Sequence, residues 1–484
     1  MQLQPLLAEP PAFSFVARGL AASFLSSLPS DLALASADVA GTIAHVAMLR
    51  HAGIVTRQEA KALVSALKAC HAEIASGTFP WRADLEDVHT NVEARIVELA
   101  GPVGRKIHAG RSRNDQVALD ERLYLRTSIE TILGKILAFE KVLMDQAKAY
   151  ADVVVPAYTH LRKAQPVLLA HVLLAHLWRL ARDASRLTDA FARANVSPAG
   201  AAAVAGTSLP LDPSVAAGLL GFDRAFANSA DATSDRDHFV EVTSALALLA
   251  VHMSGLAEDL ILWTSDEFGV ASFAAGDAAG SSFLPHKANP DVAELVRGQA
   301  GTIVGDLVGL LTALKALPMG YHRDLQVEKA SAMHAIETAC ALLDALSDAV
   351  AHVAFDPDRA VASLDASHAS ALFVEHLTAK GMAHHDAYEL VKANLAALRA
   401  AAHGADPVIE LRKISPLFDA SALPLLTPKG AVEAIVSHGG TGPTQVAHQI
   451  TQAEAALGRQ AFDLNLIAKM NRRIADVLSG EVGL

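Results

Sequence analysis

The chain has 484 residues, 52% of them apolar but only 5% aromatic, so its interior must be built from Ala, Leu and Val. Ala and Leu are strong helix formers, which points to an all-α protein of about two to four units or one elongated assembly. A formal charge of -12 with no basic cluster argues against nucleic acid as a partner and leaves local cations to attract any anionic small molecule.

Residues 1–111 form a first helical segment. Its opening lacks a basic leader and is broken by Glu9, Pro10 and Pro11, so the cytoplasm is the expected compartment. Cys70 and Cys340 lie far apart and make no metal or redox pattern, which suits reducing conditions. Asp31 and Asp38 follow, with Ser27, as equally candidate helix caps or ligand-contacting groups. In residues 85–95, Asp87, Asn91 and Arg95 recur every four positions, as do His89 and Glu93, which places polar groups on shared helical faces. By spacing alone this is equally an ion-paired surface. Residues 110–116 pack Arg111, Ser112, Arg113 and Asn114 behind Gly110. Arginine forks match carboxylates bidentately. Asp115 is an internal partner for them if the turn is only a charged loop.

From Val117 a helical apolar pattern runs for some thirty residues. Residues 158–166 then set Thr159 and His160 in a polar loop, where His160 is a proton-carrier candidate and Pro166 can open the next long helix. Ser234 can cap a helix in which Phe239, Val242, Leu246, Leu249, Met253, Leu256, Leu260 and Trp263 form a heptad seam roughly 40 Å long. Residues 242–257 are the most membrane-like run, yet they contain His252 and fall short of the ~20 residues a span needs. A buried bundle helix is expected there, and no membrane.

Residues 280–290 carry Ser281, Ser282, Lys287 and Asn289 between small and rigid neighbours, a composition for presenting polar groups to a ligand. Asn289 can cap a helix with Pro290 in its first turn and Asp291 and Glu294 near its start, so the loop sits at the positive end of a helix dipole. A carboxylate-bearing ligand fits, with Lys287 as its counter-charge. The following helix is apolar on several faces and must be covered all round, by its own chain and by other subunits. After Pro318, Gln326 and Lys329 share a helical face with Tyr321 upstream. Beyond residue 356 the helices shorten. His384 and His385 are adjacent and so are no facing metal pair, and the glycines at 439–442 precede no phosphate-loop lysine. No metal or organic cofactor is called for.

These strings resemble the motifs of the fumarase/aspartase superfamily. Residues 280–290 match Gly-Ser-Ser-x-Met-Pro-x-Lys-x-Asn-Pro except at Leu284, and 85–95, 110–116, 158–166 and 321–329 are similar to segments of its argininosuccinate lyase branch. The resemblance implies a three-domain fold with boundaries near 1–111, 112–362 and 363–484, and a central long-helix bundle that associates into a tetrameric twenty-helix core with shared active sites. It implies β-elimination of a small-molecule N-substituted aspartate to fumarate and an amine, arginine in this branch. Ser281 would be the base, His160 the general acid or proton-path support, Glu294 its orienting carboxylate, and Lys287 and Asn289 the stabilisers of the dianionic carboxylate. Ser27, Asp87, His89, Ser112, Arg113, Asn114, Thr159, Arg236, Tyr321, Gln326 and Lys329 would grip the substrate. His286, Ala288, Arg162 and Ala109 depart from the usual pattern. They keep open a paralogue with a different amine, and a non-catalytic structural member is the remaining reading.

Overall fold

The computed structural model describes residues 24–480 except 275, 277, 278 and 281, with the backbone alone at 279. Ser281, the expected base, therefore lies outside the described residues.

The first core is made by α1 (Ala35–His51), α2 (Arg57–Ala75) and α3 (Val88–Ala100). α2 starts where it does because Thr56 and Glu59 cap each other: the hydroxyl accepts the Glu59 N–H at 3.2 Å and the carboxylate accepts the Thr56 N–H at 2.8 Å. Val39, Ile43, Val46, Leu63, Leu67 and Val92 fill the space between the three helices.

The second core is the bundle anticipated from periodicity. It contains α4 (Arg113–Ala149), α5 (Leu169–Ala194), α7 (Asp237–Thr264), α8 (Asp291–Leu314) and α9 (Val327–His352); the short α6 (Pro213–Leu220) packs on α1. Cross-links show that sequence neighbours in the bundle run antiparallel. Arg122 near the start of α4 donates to the carbonyl of Ala194 at the end of α5. His252 and His176 pair α7 with α5 through Asp183 and Asp259. Arg297 in the second turn of α8 pairs with Glu258 late in α7. The seam from Phe239 to Leu260 is wholly buried, and Trp263 packs against it half-buried. α7 and the run Leu28–His51 are long and apolar enough to cross a membrane, but the heptad spacing and this burial make α7 a core helix.

Three local expectations are corrected. Residues 158–166 are not a loop before a helix. β1 (Val154–Thr159) and β2 (Arg162–Leu168) form an antiparallel hairpin, and α5 begins only at Leu169. Pro166 pairs with Pro156, so the two missing donors fall at one rung of the ladder. Ser234 does not cap α7. It ends a short helix begun by Asn228 and turns its hydroxyl back to the Ala230 carbonyl, while Asp235 accepts the Asp237 N–H at 2.7 Å. Asn289 is no cap either. It pairs with Ala279 in a two-residue ladder that closes the base of the 280–290 loop, and α8 starts at Asp291 without a side-chain cap.

A third core lies between Ala366 and Ala431, with Phe373 and Phe418 in edge contact at 5.8 Å. The segment after it is one 37-residue helix, α10 (Pro443–Ser479), which leaves that core. Its Val446, Ala453, Leu457 and Ile467 join the bundle, and Ile474 and Val477 join the first core.

Candidate active site

One polar cluster occupies the end of the bundle where α4 and α7 begin. Ser112 caps α4 in a box with Asp115, whose other oxygen accepts the N–H groups of Gly200 and Ala202. The turn is thereby fixed, and Ser112, Arg113 and Asn114 remain only half-buried. Arg113 is held on three sides: Asp87 lies 3.3 Å from Nε, and Arg113 donates to Thr90 Oγ1 at 3.0 Å and to Gln116 Oε1 at 2.9 Å. Asn114 donates to the carbonyl of Ala203. Asp87 also caps α3 through the Thr90 N–H.

Behind this turn, His89 is buried with Nδ1 3.1 Å from Asp38 and 3.3 Å from Asp120. Burial alone would push the imidazole pKa down; the Asp38 charge, the Asp120 hydrogen bond and the Asp38 hydrogen bond raise it to about 10. Burial and the Asp38 charge hold Asp120 well above the ordinary carboxylate range. Among the described residues, these three alone bring metal-ligating atoms within 4.8 Å of one another. One ring nitrogen thus faces both carboxyl groups and donates to the nearer, Asp38.

Beside it, Ser27 donates to Asp31, and Lys329 Nζ lies 2.5 Å from Asp31 Oδ1. Arg236 Nε is set between Glu121 at 2.8 Å and Glu328 at 2.6 Å. Burial, together with the Glu121 charge, pushes the Glu328 carboxyl up to about 8. Gln326 donates to the carbonyl of Leu25 at 3.3 Å. Tyr321 is half-buried, and burial raises its phenol pKa against the opposing charge of Lys329. Ten of the expected site residues thus gather at this end, but not all in the expected role. His89 and Arg236 are sealed between protein carboxylates and present no open face, so they support the site from behind. Ser27 and Lys329 are buried on Asp31. Asp120, Glu121 and Glu328 escaped the sequence reading as site residues. On α4 and α9, which carry many other charged residues, spacing did not single them out.

Thr159, His160, Lys287, Asn289 and Glu294 lie at the opposite end. His160 and Leu161 form the two-residue turn of the β1–β2 hairpin with φ of 54° and 53°, the primed-turn conformation that normally selects Asn-Gly. Each non-glycine residue held there costs about 1–2 kcal/mol. The turn leaves the His160 ring exposed. Lys287 is exposed as well, and Glu294 stands half-exposed 4.0 Å from Arg297. Among the described residues of one chain, Glu294 makes no bond to His160. From Arg236 to Glu258, the residue that ties down α8, is roughly six turns of α7, about 33 Å. Within one chain the two groups of expected residues therefore stand too far apart to meet.

A cavity of about 410 Å³ borders the hairpin, lined by Tyr158, Leu161, Arg162, Lys163, Phe268 and His368 among others. A larger one of about 690 Å³ lies between α2 and the end of α10 and holds none of the residues above. The chemistry follows the polar clusters, not the volume.

A family model described as lyase matches residues 13–305. The chain is 42% identical over 444 residues to the argininosuccinate lyase of Symbiobacterium thermophilum, covering 91% of this chain and 96% of that one. It is 42% identical over 438 residues to the argininosuccinate lyase of Methylococcus capsulatus, covering 90% and 94%. Among solved structures, an EDDS lyase in complex with formate superposes with a TM-score of 0.79 at 26% identity, over 93% of this chain and 92% of the other. The class II fumarase of Schistosoma mansoni superposes with a TM-score of 0.70 at 15% identity, over 84% and 91%, and so shares the fold. With the motifs in order along the chain, the five-helix bundle and these relatives agreeing, the chain belongs to the argininosuccinate lyase family of the fumarase/aspartase superfamily.

Proposed function

We propose that the chain cleaves argininosuccinate to arginine and fumarate, as a step of arginine biosynthesis. The observation that carries this reading is the half-exposed Ser112–Arg113–Asn114 turn, locked by Asp115 and Asp87 and offering a hydroxyl, a guanidinium and an amide to a carboxylate, in a chain so similar to argininosuccinate lyases.

In this mechanism Ser281 takes the proton from the carbon beside the succinyl carboxylate. The electron pair moves onto that carboxylate, where Lys287 and Asn289 meet the developing second charge in a site that excludes water. The C–N bond then breaks, and the departing nitrogen receives a proton from His160, oriented by Glu294. Ser112, Arg113, Asn114 and Thr159 hold the succinyl part; Tyr321 and Gln326 hold the amino-acid end. The elimination is redox-neutral and its proton count closes without a further reactant.

Because the two half-sites of one chain stand about 33 Å apart, we assign the working form to a homotetramer in which loops of different subunits complete each site. The exposed Val304, Val308 and Leu311 give α8 an apolar face suited to that association. Free Cys70 and Cys340 are compatible with a reducing cytoplasm. Leu284, His286 and Ala288 in the 280–290 loop favour, as second reading, a paralogue that releases a different amine.

The test is direct. Purified protein is incubated with argininosuccinate and fumarate absorbance is followed. Turnover supports the assignment; fumarate only from other N-succinyl amines selects the paralogue, and none from any rejects lyase function.

A further inference from the structure

A chain of contacts runs from the buried cluster of His89, Asp38 and Asp120 to the surface of the site. Asp38 Oδ1 accepts from Gln116 Nε2 at 2.5 Å and faces His89 Nδ1 at 3.1 Å. Gln116 thereby has its amide nitrogen committed inward, which turns Oε1 outward to accept from Arg113 at 2.9 Å. An amide can present oxygen or nitrogen at either position, and its neighbours choose. Here the choice is made by Asp38, which offers only acceptors while it is ionised.

A wholly buried carboxylate without a cation would take up a proton. Protonated, Asp38 would become a donor, the Gln116 amide would be free to flip, and its NH2 would then face the Arg113 guanidinium, donor against donor. His89 opposes this by placing its own charge against Asp38, with Arg111 adding a smaller share. Asp120 holds the other flank of the same ring nitrogen at 3.3 Å. Arg113 uses Nε on Asp87 and one N–H on each terminal nitrogen for Gln116 and Thr90. That leaves one N–H on each terminal nitrogen for a ligand, the pair a carboxylate engages.

We propose that His89 is a positioning residue which, through Asp38 and the amide orientation of Gln116, fixes Arg113 to receive a carboxylate of the succinyl half of the substrate. The inference rests on the functional reading above and assigns its succinyl-binding arginine an internal orienting device. The ring does not touch substrate. Its effect belongs in binding of the dicarboxylate half.

The test compares full-length wild type, His89→Gln, Gln116→Leu and the double variant. Wild-type turnover of argininosuccinate is measured first, so that failure of the functional reading is recognised separately. Each single variant is expected to raise KM and the fumarate inhibition constant roughly tenfold or more, with kcat changed less and the arginine inhibition constant unchanged. The double variant is expected to match the worse single variant, because both act on one amide. Independent, multiplying effects in the double variant, a loss confined to kcat, or an equal weakening of arginine would overturn the proposal. If His89→Gln does not fold, Asp38→Asn takes its place in the same cycle, with the same outcomes required.

Discussion

Lys329 Nζ stands 2.5 Å from Asp31 Oδ1, and both groups are sealed from solvent. A buried pair stripped of one member leaves an uncompensated charge, costing about 3–5 kcal/mol. Lys329→Met should therefore lower unfolding stability by that amount. The double variant Asp31→Asn, Lys329→Met should recover most of it while remaining inactive. Urea unfolding of wild type and the two variants checks the stabilities, and fumarate release checks the activity.

Two half-sites at opposite ends of one chain make complementation measurable. His160→Asn and Arg113→Ala should each be nearly inactive alone. When denatured together in equal amounts and refolded, they should regain roughly a quarter of wild-type activity, the share of sites receiving both intact halves by random association. No recovery would mean that each site is closed within one chain.

The proposed proton-transfer groups should separate activity from stability. His160→Asn and Ser281→Ala are each expected to lose at least about 10²–10⁴-fold in kcat. His160 is exposed, so its variant should melt within about 1 °C of wild type. Fumarate release and differential scanning fluorimetry on the same preparations decide this.

The hairpin turn holds Leu161 at φ 53°. Leu161→Gly should relieve about 1 kcal/mol of backbone strain and raise the unfolding midpoint in urea. A fall in midpoint would show that the Leu161 side chain contributes more than the turn costs.

The charge on His89 gives a pH dependence with a definite sign. Its folded pKa of about 10 lies above the ordinary value of 6.5, so its stabilising contribution is complete below pH 6.5 and is lost as pH rises through 10. The stability gap between wild type and His89→Gln should thus be widest at and below about pH 6.5 and shrink steadily as pH rises toward 10. Denaturation midpoints at half-unit steps follow it.

Much of this architecture was legible because it depends on periodicity. The seam from Phe239 to Leu260 alternates steps of three and four, and only a helix can bury it. The Ser112 turn was legible as a polar string behind a glycine. The hairpin at 154–168 was not. Its Pro166 suggests a helix start until it is seen paired with Pro156, and strand pairing is a property of two segments at once. Nor could spacing distinguish the half-exposed Arg113 from the buried His89, since both sit in motif strings. Burial is decided by α1 and α4 packing over α3, and Asp38, fifty-one residues upstream, supplies the partner.

α10 spans the molecule, giving Val446 and Ala453 to the bundle and Ile474 and Val477 to the first core, and Asn471 anchors Arg126 across 345 residues of intervening sequence. A ribosome making this polypeptide must therefore nearly finish before either of those interiors can close. Nascent intermediates would expose apolar grooves awaiting their last strut, a natural point for chaperones to engage, and premature termination near residue 442 would yield product for proteolysis instead of a trimmed enzyme.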